Sequence, residues 1–377
     1  MPPRSRRRQP PGLAESGSAV PTLADVASSA AASIGLTGFL DRIGLGESQH
    51  AVVLLIDGLG WEQLSQHAGH GPSLLGGQAH HMTTVFPSTT PTALASLGTG
   101  RLPGAHGLVG AMFWVPEFEQ VLAPLKWGDD PHPLAVQPDS TVFERAEQQG
   151  ARVTTIGPNA YRSSGLTQAV LRGGTYQAAE DIAGRVREVM ASTSGTDPSL
   201  TYVYWAEVDR VGHEHGVGSP RWCEAVERAD ALVAALVDAL PPHGVMVVTA
   251  DHGMVNCPKR IEMDGDPALA AGVRCLAGEP RARQAYVEPG QVEQVAQRWR
   301  ERLGGLATVL TRDEVIDSGL MGPADDWVRD RIGDVVAIAL DEVALVSNVD
   351  PLASRLLGQH GGASEAEMRI PCLVFRN

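Results

Sequence analysis

Six carboxylate and imidazole side chains stand at four places where apolar runs of this 377-residue chain give out. Asp57 ends AVVLLID, Asp209 and His213 follow TYVYW, Asp251 and His252 close VMVVTADH, and His360 sits in GQHGG. The spacing Asp-x-x-Gly-His lets Asp209 and His213 face one ion from a single turn or short helix, as carboxylate and imidazole ligands of zinc commonly do. Neighbouring side chains such as Asp251 and His252 point in different directions, which suits two ligands set around an ion in a bend. These six oxygen and nitrogen donors, three to an ion and without sulfur, suit two divalent cations: zinc, with manganese or magnesium as alternatives. Each cluster alone has an ordinary reading, Asp-Gly after a strand as a turn and Asp-x-x-Gly-His as a polar loop. Their recurrence carries the metal reading.

A nucleophile is offered by TTVFPSTTPTALASLGTG at 83–100, where hydroxyls run up to Pro91. Proline is favoured in the first turn of a helix, and TALASLG continues as one. A helix N-terminus presents free N–H groups and the positive end of its dipole to an anion such as phosphate. The plain reading of the same hydroxyls is a threonine N-cap.

Residues spread over about 300 positions share a site only if the fold gathers strand ends, as an open parallel α/β sheet does along its carboxyl edge. Strand-like runs at 51–56, 151–156, 201–205 and 245–249 alternate with helical stretches at 140–149, 179–191 and 220–239. The pattern predicts an α/β fold, a doubly wound, mostly parallel sheet. After Asn256 the character changes, and 258–339 reads as a small α+β insertion expected to cover the site as a cap. It contains strand-like RQAYV and the helix VEQVAQRWRERL, whose plain reading is a solvated amphipathic helix. The run 336–340 is expected to return to the main sheet, with IPCLVF as its last strand. The core is then 22–257 and 340–377, preceded by a disordered tail at 1–21.

Formal charge is −14, from 44 acidic against 30 basic residues, which argues against a nucleic-acid groove built on phosphate contacts. Four scattered cysteines without Cys-x-x-Cys spacing indicate neither a thiolate zinc site nor a disulfide framework. The basic N-terminal stretch lacks a signal-peptide apolar region, and no apolar run is long enough for a transmembrane span, so no membrane association and a cytoplasmic location are expected.

The motifs IDGLG at 56–60, TGRLPGAHGLVG at 99–110, DRVGH at 209–213, ADHGM at 250–254 and QHGG at 359–362 resemble, in order, those of the alkaline phosphatase superfamily. The type I phosphodiesterase/nucleotide pyrophosphatase branch is the most similar. The resemblance implies that Asp57, the nucleophilic Thr, Asp251 and His252 hold one ion, and Asp209, His213 and His360 the other. It implies a phosphoric ester hydrolase acting on a small phosphate ester through a phosphothreonine. A phosphomonoesterase or phosphonate hydrolase is the alternative; a noncatalytic metal-binding protein stands behind both. The family pattern Thr-x-Pro maps onto Thr89-Thr90-Pro91, with one extra residue before Thr99. If Thr89 attacks, the next N–H can donate to the phosphoryl oxygen; after Thr90 comes Pro91, which has none. Thr89 is therefore the expected nucleophile and ligand, with Thr90 second. One departure stands out, since Ala111 occupies the position of a phosphoryl-binding Asn. Lys126, Asn159 or Tyr161 are candidate replacements, and His106, His215 and Trp114 candidate lining residues, each with a structural role as the plainer reading.

Overall fold

The computed structural model describes residues 20–377, so most of the tail at 1–21 lies outside the described residues. Its main sheet has seven strands: β1 His50–Ile56, β2 Gln78–Thr83, β3 Arg152–Gly157, β4 Thr175–Ala178, β5 Ser199–Trp205, β6 Gly244–Thr249 and β7 Arg369–Arg376. Their order is β2-β7-β6-β1-β5-β3-β4, and only β7 runs against its neighbours. This is the α/β, mostly parallel sheet that the sequence predicts. Every residue of β1 and β6 is buried. Strands covered on both faces must be apolar throughout, which is why they read as unbroken runs.

Local chemistry sets the helix starts. Thr141 and Glu144 form a reciprocal cap on Val142–Gln148, Asp181 caps Ile182–Ser192, and Ser219 caps Pro220–Asp238. Each side-chain oxygen accepts from a first-turn N–H that the helix leaves without an acceptor. Along Pro220–Asp238, buried Trp222, Ala225, Val226, Ala229, Leu232, Val233 and Leu236 recur at helical steps, so one stripe enters the core.

The register fixes where the chemistry lands. Ile56 pairs with Trp205 and Leu55 with Thr249. Parallel β1, β5 and β6 therefore end together, and Asp57, Asp209 and Asp251 all leave the sheet at one edge.

The second sheet lies within 258–339. It is antiparallel, in the order Val273–Glu279, Ala282–Val287, Val335–Ala339, Ala307–Thr311. The run 336–340 thus does not return to the main sheet; it is bonded on both sides inside this second one. Its sequence conceals the placement because both faces are apolar. Val335, Ala337 and Ala339 pack into a cluster with Trp299 of the helix Val292–Arg302, whereas Val336 and Ile338 join the main core. Such a strand suits either sheet. That helix is not wholly solvated: Val295, Ala296 and Trp299 are buried. No helix among the described residues is long and apolar enough to cross a membrane.

Candidate metal centre

At the shared sheet edge, Asp57, Asp209, His213, Asp251, His252 and His360 come together. Ligand atoms of Asp209, His213 and His360 lie within 4.8 Å of one another, as do those of Asp57, Asp209 and His252, so Asp209 belongs to both groups. Asp251 joins through His252, whose Nε2 is 3.3 Å from its Oδ2. The close approach needs Gly58, which has φ +74° and whose added Cβ would sit 2.8 Å from the Asp209 Cα. The backbone N–H of Asp209 donates to the Asp57 carbonyl at 3.0 Å.

All three imidazoles are oriented the same way. Nδ1 of His213 lies 2.7 Å from the Gly358 carbonyl, that of His252 3.0 Å from Gly253, and that of His360 3.0 Å from Ser88. A carbonyl only accepts, so each Nδ1 carries the proton and each Nε2 presents a lone pair, the arrangement of metal-ligating histidines. Nε2 of His213 and Nε2 of His360 are 3.2 Å apart. Burial pushes His252 down to about 3 and, with the neighbouring imidazoles, holds His360 well below its ordinary value.

The carboxylates are under matching strain. Burial, then Asp251 and Asp209, raises Asp57 well above its ordinary range. Burial raises Asp209 to about 6, against the pull of His213, and Asp251 rises for the same first reason. Asp57 Oδ1, Asp209 Oδ1 and Asp251 Oδ2 are buried without a hydrogen-bond partner. Buried carboxylate oxygens are seldom orphaned unless an ion completes them. Orphan oxygens facing free Nε2 atoms fit a divalent-cation site.

The threonines separate clearly. Thr90 begins the helix Thr90–Thr99, and its Oγ1 lies 3.2 Å from Nε2 of His252. Thr89 is the N-cap, with extended backbone and no side-chain capping bond. Thr90, and not Thr89, lines the adjoining cavity of about 290 Å³. The expectation of Thr89 rests on the Thr-x-Pro pattern and on the N–H that Pro91 lacks. Pro91 removes only one first-turn donor, and the N–H groups of Thr90 and Thr92 remain among those without an intrahelical acceptor.

The cavity is mainly apolar and aromatic, with Leu94, Ile156, Leu166, Tyr161, Tyr202 and Tyr204 in its walls, and none of its lining comes from 258–339. Tyr204 also donates its hydroxyl to Asp57 Oδ2. Burial and the charge of Asp57 hold that phenol well above its ordinary range, so it remains a donor. Tyr202 and Tyr204 escaped the sequence reading, although the two-residue alternation in TYVYW already puts them on one face.

Of the three candidate replacements for a donor at Ala111, Tyr161 lines the cavity; Lys126 and Asn159 are exposed and outside its wall. The N–H of Ala111 donates to Glu279 Oε2 at 2.9 Å. His106 is buried against Ser96, its Nε2 2.9 Å from the hydroxyl. His215 lies beside Arg221, and Trp114 under Arg274. None of these three belongs to the cluster.

The family model described as type I phosphodiesterase / nucleotide pyrophosphatase matches residues 51–363. Mouse ectonucleotide pyrophosphatase/phosphodiesterase family member 7 is 26% identical over 203 residues, 49% of this chain and 44% of that protein. Alkaline phosphatase PhoK of Sphingomonas is 25% identical over 210 residues, 45% of this chain and 37% of that protein. The chain thus spans less than half the length of these curated relatives. In fold, it superposes on murine ectonucleotide pyrophosphatase/phosphodiesterase 5 with a TM-score of 0.68 at 19% identity, covering 87% of this chain and 88% of that one. Phosphonoacetate hydrolase from Sinorhizobium meliloti 1021 gives 0.67 at 20% identity, covering 87% and 90%. With the family model matching residues 51–363, most of the chain, the chain belongs to the type I phosphodiesterase/nucleotide pyrophosphatase family.

Proposed function

We propose that the protein is a two-metal phosphoric ester hydrolase, phosphodiesterase-like, that works through a phosphothreonine at Thr90. The observation that carries this reading is the buried Thr90 hydroxyl set against His252 where three carboxylates each keep an unpartnered oxygen. A relative's structure adds support: an inactive threonine-to-alanine variant of murine ectonucleotide pyrophosphatase/phosphodiesterase 5, in complex with AMP.

Asp209, His213 and His360 would hold one ion, and Asp57, Asp251, His252 and the Thr90 oxygen the other, with Asp209 reaching both sets. Bound there, divalent ions, zinc in our reading, supply Lewis acidity toward the phosphoryl oxygens and lower the pKa of the attacking hydroxyl. Tyr204 fixes the orientation of Asp57. Thr90 Oγ1 gives up its proton and forms its bond to phosphorus as the bond to the organic oxygen breaks in line. The alcohol leaves with that electron pair and takes up a proton. Water then attacks phosphorus, releasing phosphate or a phosphate monoester and restoring the Thr90 hydroxyl. The apolar cavity beside Thr90 would receive the organic group.

Ala111 supports a second reading within the same chemistry, a phosphomonoesterase or phosphonate hydrolase, because its methyl group offers no donor to a diester phosphoryl. One screen separates them: zinc- or manganese-loaded protein assayed on aryl phosphate mono- and diesters, nucleotides and phosphonates. Diester preference supports the first reading and monoester or phosphonate preference the second; no turnover on any class overturns both. Four unpaired cysteines agree with a cytoplasmic setting.

A further inference from the structure

The segment 258–339 contributes nothing to the cavity wall, yet one of its side chains grips a glutamate that bonds two of the metal-ligand loops. Arg281 sits in the turn between Val273–Glu279 and Ala282–Val287. Its guanidinium grips Glu367 with two prongs, Nε to Oε1 and Nη2 to Oε2, each 2.9 Å. Both side chains are fully buried. Nη1 is anchored on the carbonyls of Asp341 and Val343, at 2.8 and 2.5 Å.

Glu367 in turn touches two of the loops that carry ligands. Its Oε1 accepts from the Gly362 N–H at 2.8 Å, two residues after His360. Its backbone carbonyl accepts from the Gly253 N–H at 2.9 Å, immediately after His252. Gly362 is demanded by this contact, since an added Cβ would stand 2.7 Å from Glu367 Oε2. The carboxylate therefore needs a fixed position; the Ser364 hydroxyl donates to Oε2 at 2.5 Å, and the fork of Arg281 is its charged, two-pronged partner.

We infer that Arg281 is a positioning residue for the metal centre, acting through Glu367 on the loops of His360 and Asp251–His252. This rests on the metal reading above. The second sheet then serves as a brace for the ligands instead of a lid over the substrate. A second, partly buried pair provides the contrast: Arg283 Nη2 lies 2.7 Å from Asp350 Oδ1 and makes no bond to the His252 or His360 loop.

The test is zinc titration of the full chain against a competing chelator, with the folded fraction followed by circular dichroism. Wild type, Glu367→Gln, Arg281→Lys and Asp350→Asn are compared. The expected result is tight uptake by wild type, at least about tenfold weaker uptake by folded Glu367→Gln and Arg281→Lys, and wild-type affinity in Asp350→Asn, whatever its thermal stability. If Glu367→Gln does not fold, Arg281→Lys decides, since it keeps the charge and loses the forked guanidinium geometry. Wild-type zinc affinity in the folded Arg281 and Glu367 variants overturns the inference alone, as does equal weakening in Asp350→Asn. Failure of wild type to take up zinc overturns the metal reading and the inference with it.

Discussion

Nε2 of His213 faces Nε2 of His360 across 3.2 Å, while both Nδ1 atoms are engaged by backbone carbonyls. Two lone pairs at that distance repel unless a cation lies between or beside them. The nearby carboxylates give the sign of the pH dependence. The ordinary value of 3.8 for Asp209 rises to about 6 in the folded, metal-free protein. That state holds its proton to higher pH than the unfolded chain, so the contribution of this group to stability falls as pH rises from about 4 to 6. Ions bind the deprotonated form, so their stabilisation grows over the same interval. The difference in thermal midpoint between zinc-loaded and chelator-treated protein should therefore widen from pH 4 to 6. A constant difference contradicts the assignment.

Thr90→Ala should lower kcat on the order of 10³-fold or more, because it removes the oxygen proposed as nucleophile. Thr89→Ala loses no capping bond and should stay within about threefold of wild type, at a stability cost below about 1 kcal/mol. Steady-state kinetics of the two purified variants give the answer. The reverse ranking restores Thr89 as nucleophile.

Tyr204→Phe keeps the cavity wall and deletes one hydrogen bond to Asp57. Metal affinity should fall about tenfold, as it does when an outer partner of a ligand is lost, and stability by about 1 kcal/mol. Activity lost at low zinc should return at high zinc. Loss that zinc does not rescue assigns Tyr204 to substrate binding instead.

Leu166→Trp should fill part of the cavity. KM for aryl esters is expected to rise about tenfold, while inhibition by inorganic phosphate, which needs only the metal side, stays the same. Equal change in both constants places the organic group elsewhere.

How much of this site is legible depends on whether the determinant is local. Asp57 and Asp251 are legible because a strand buried on both faces is apolar to its end, and the first charge after it marks the sheet edge. The choice between Thr89 and Thr90 is not, because the loop is pinned from far along the chain: the Ser88 hydroxyl donates to the Gly362 carbonyl and accepts from the Gly361 N–H. The strand at 335–339 misleads because two cores share it. Arg281 and Glu367, 86 residues apart, leave no periodic trace at all.

β7 enters the sheet between β2 and β6, with Leu373 paired to Ala79 on one side and Val248 on the other. β2, complete at Thr83, therefore waits until Arg369–Arg376 before it has a partner strand, and β6 keeps an open apolar edge until then. During synthesis that edge is a template for wrong pairing, and closing it is a long-range, slow event. The loop bearing His360 arrives just ahead of β7. Closure of that edge and completion of the metal-ligand cluster are thus acquired in a single late step.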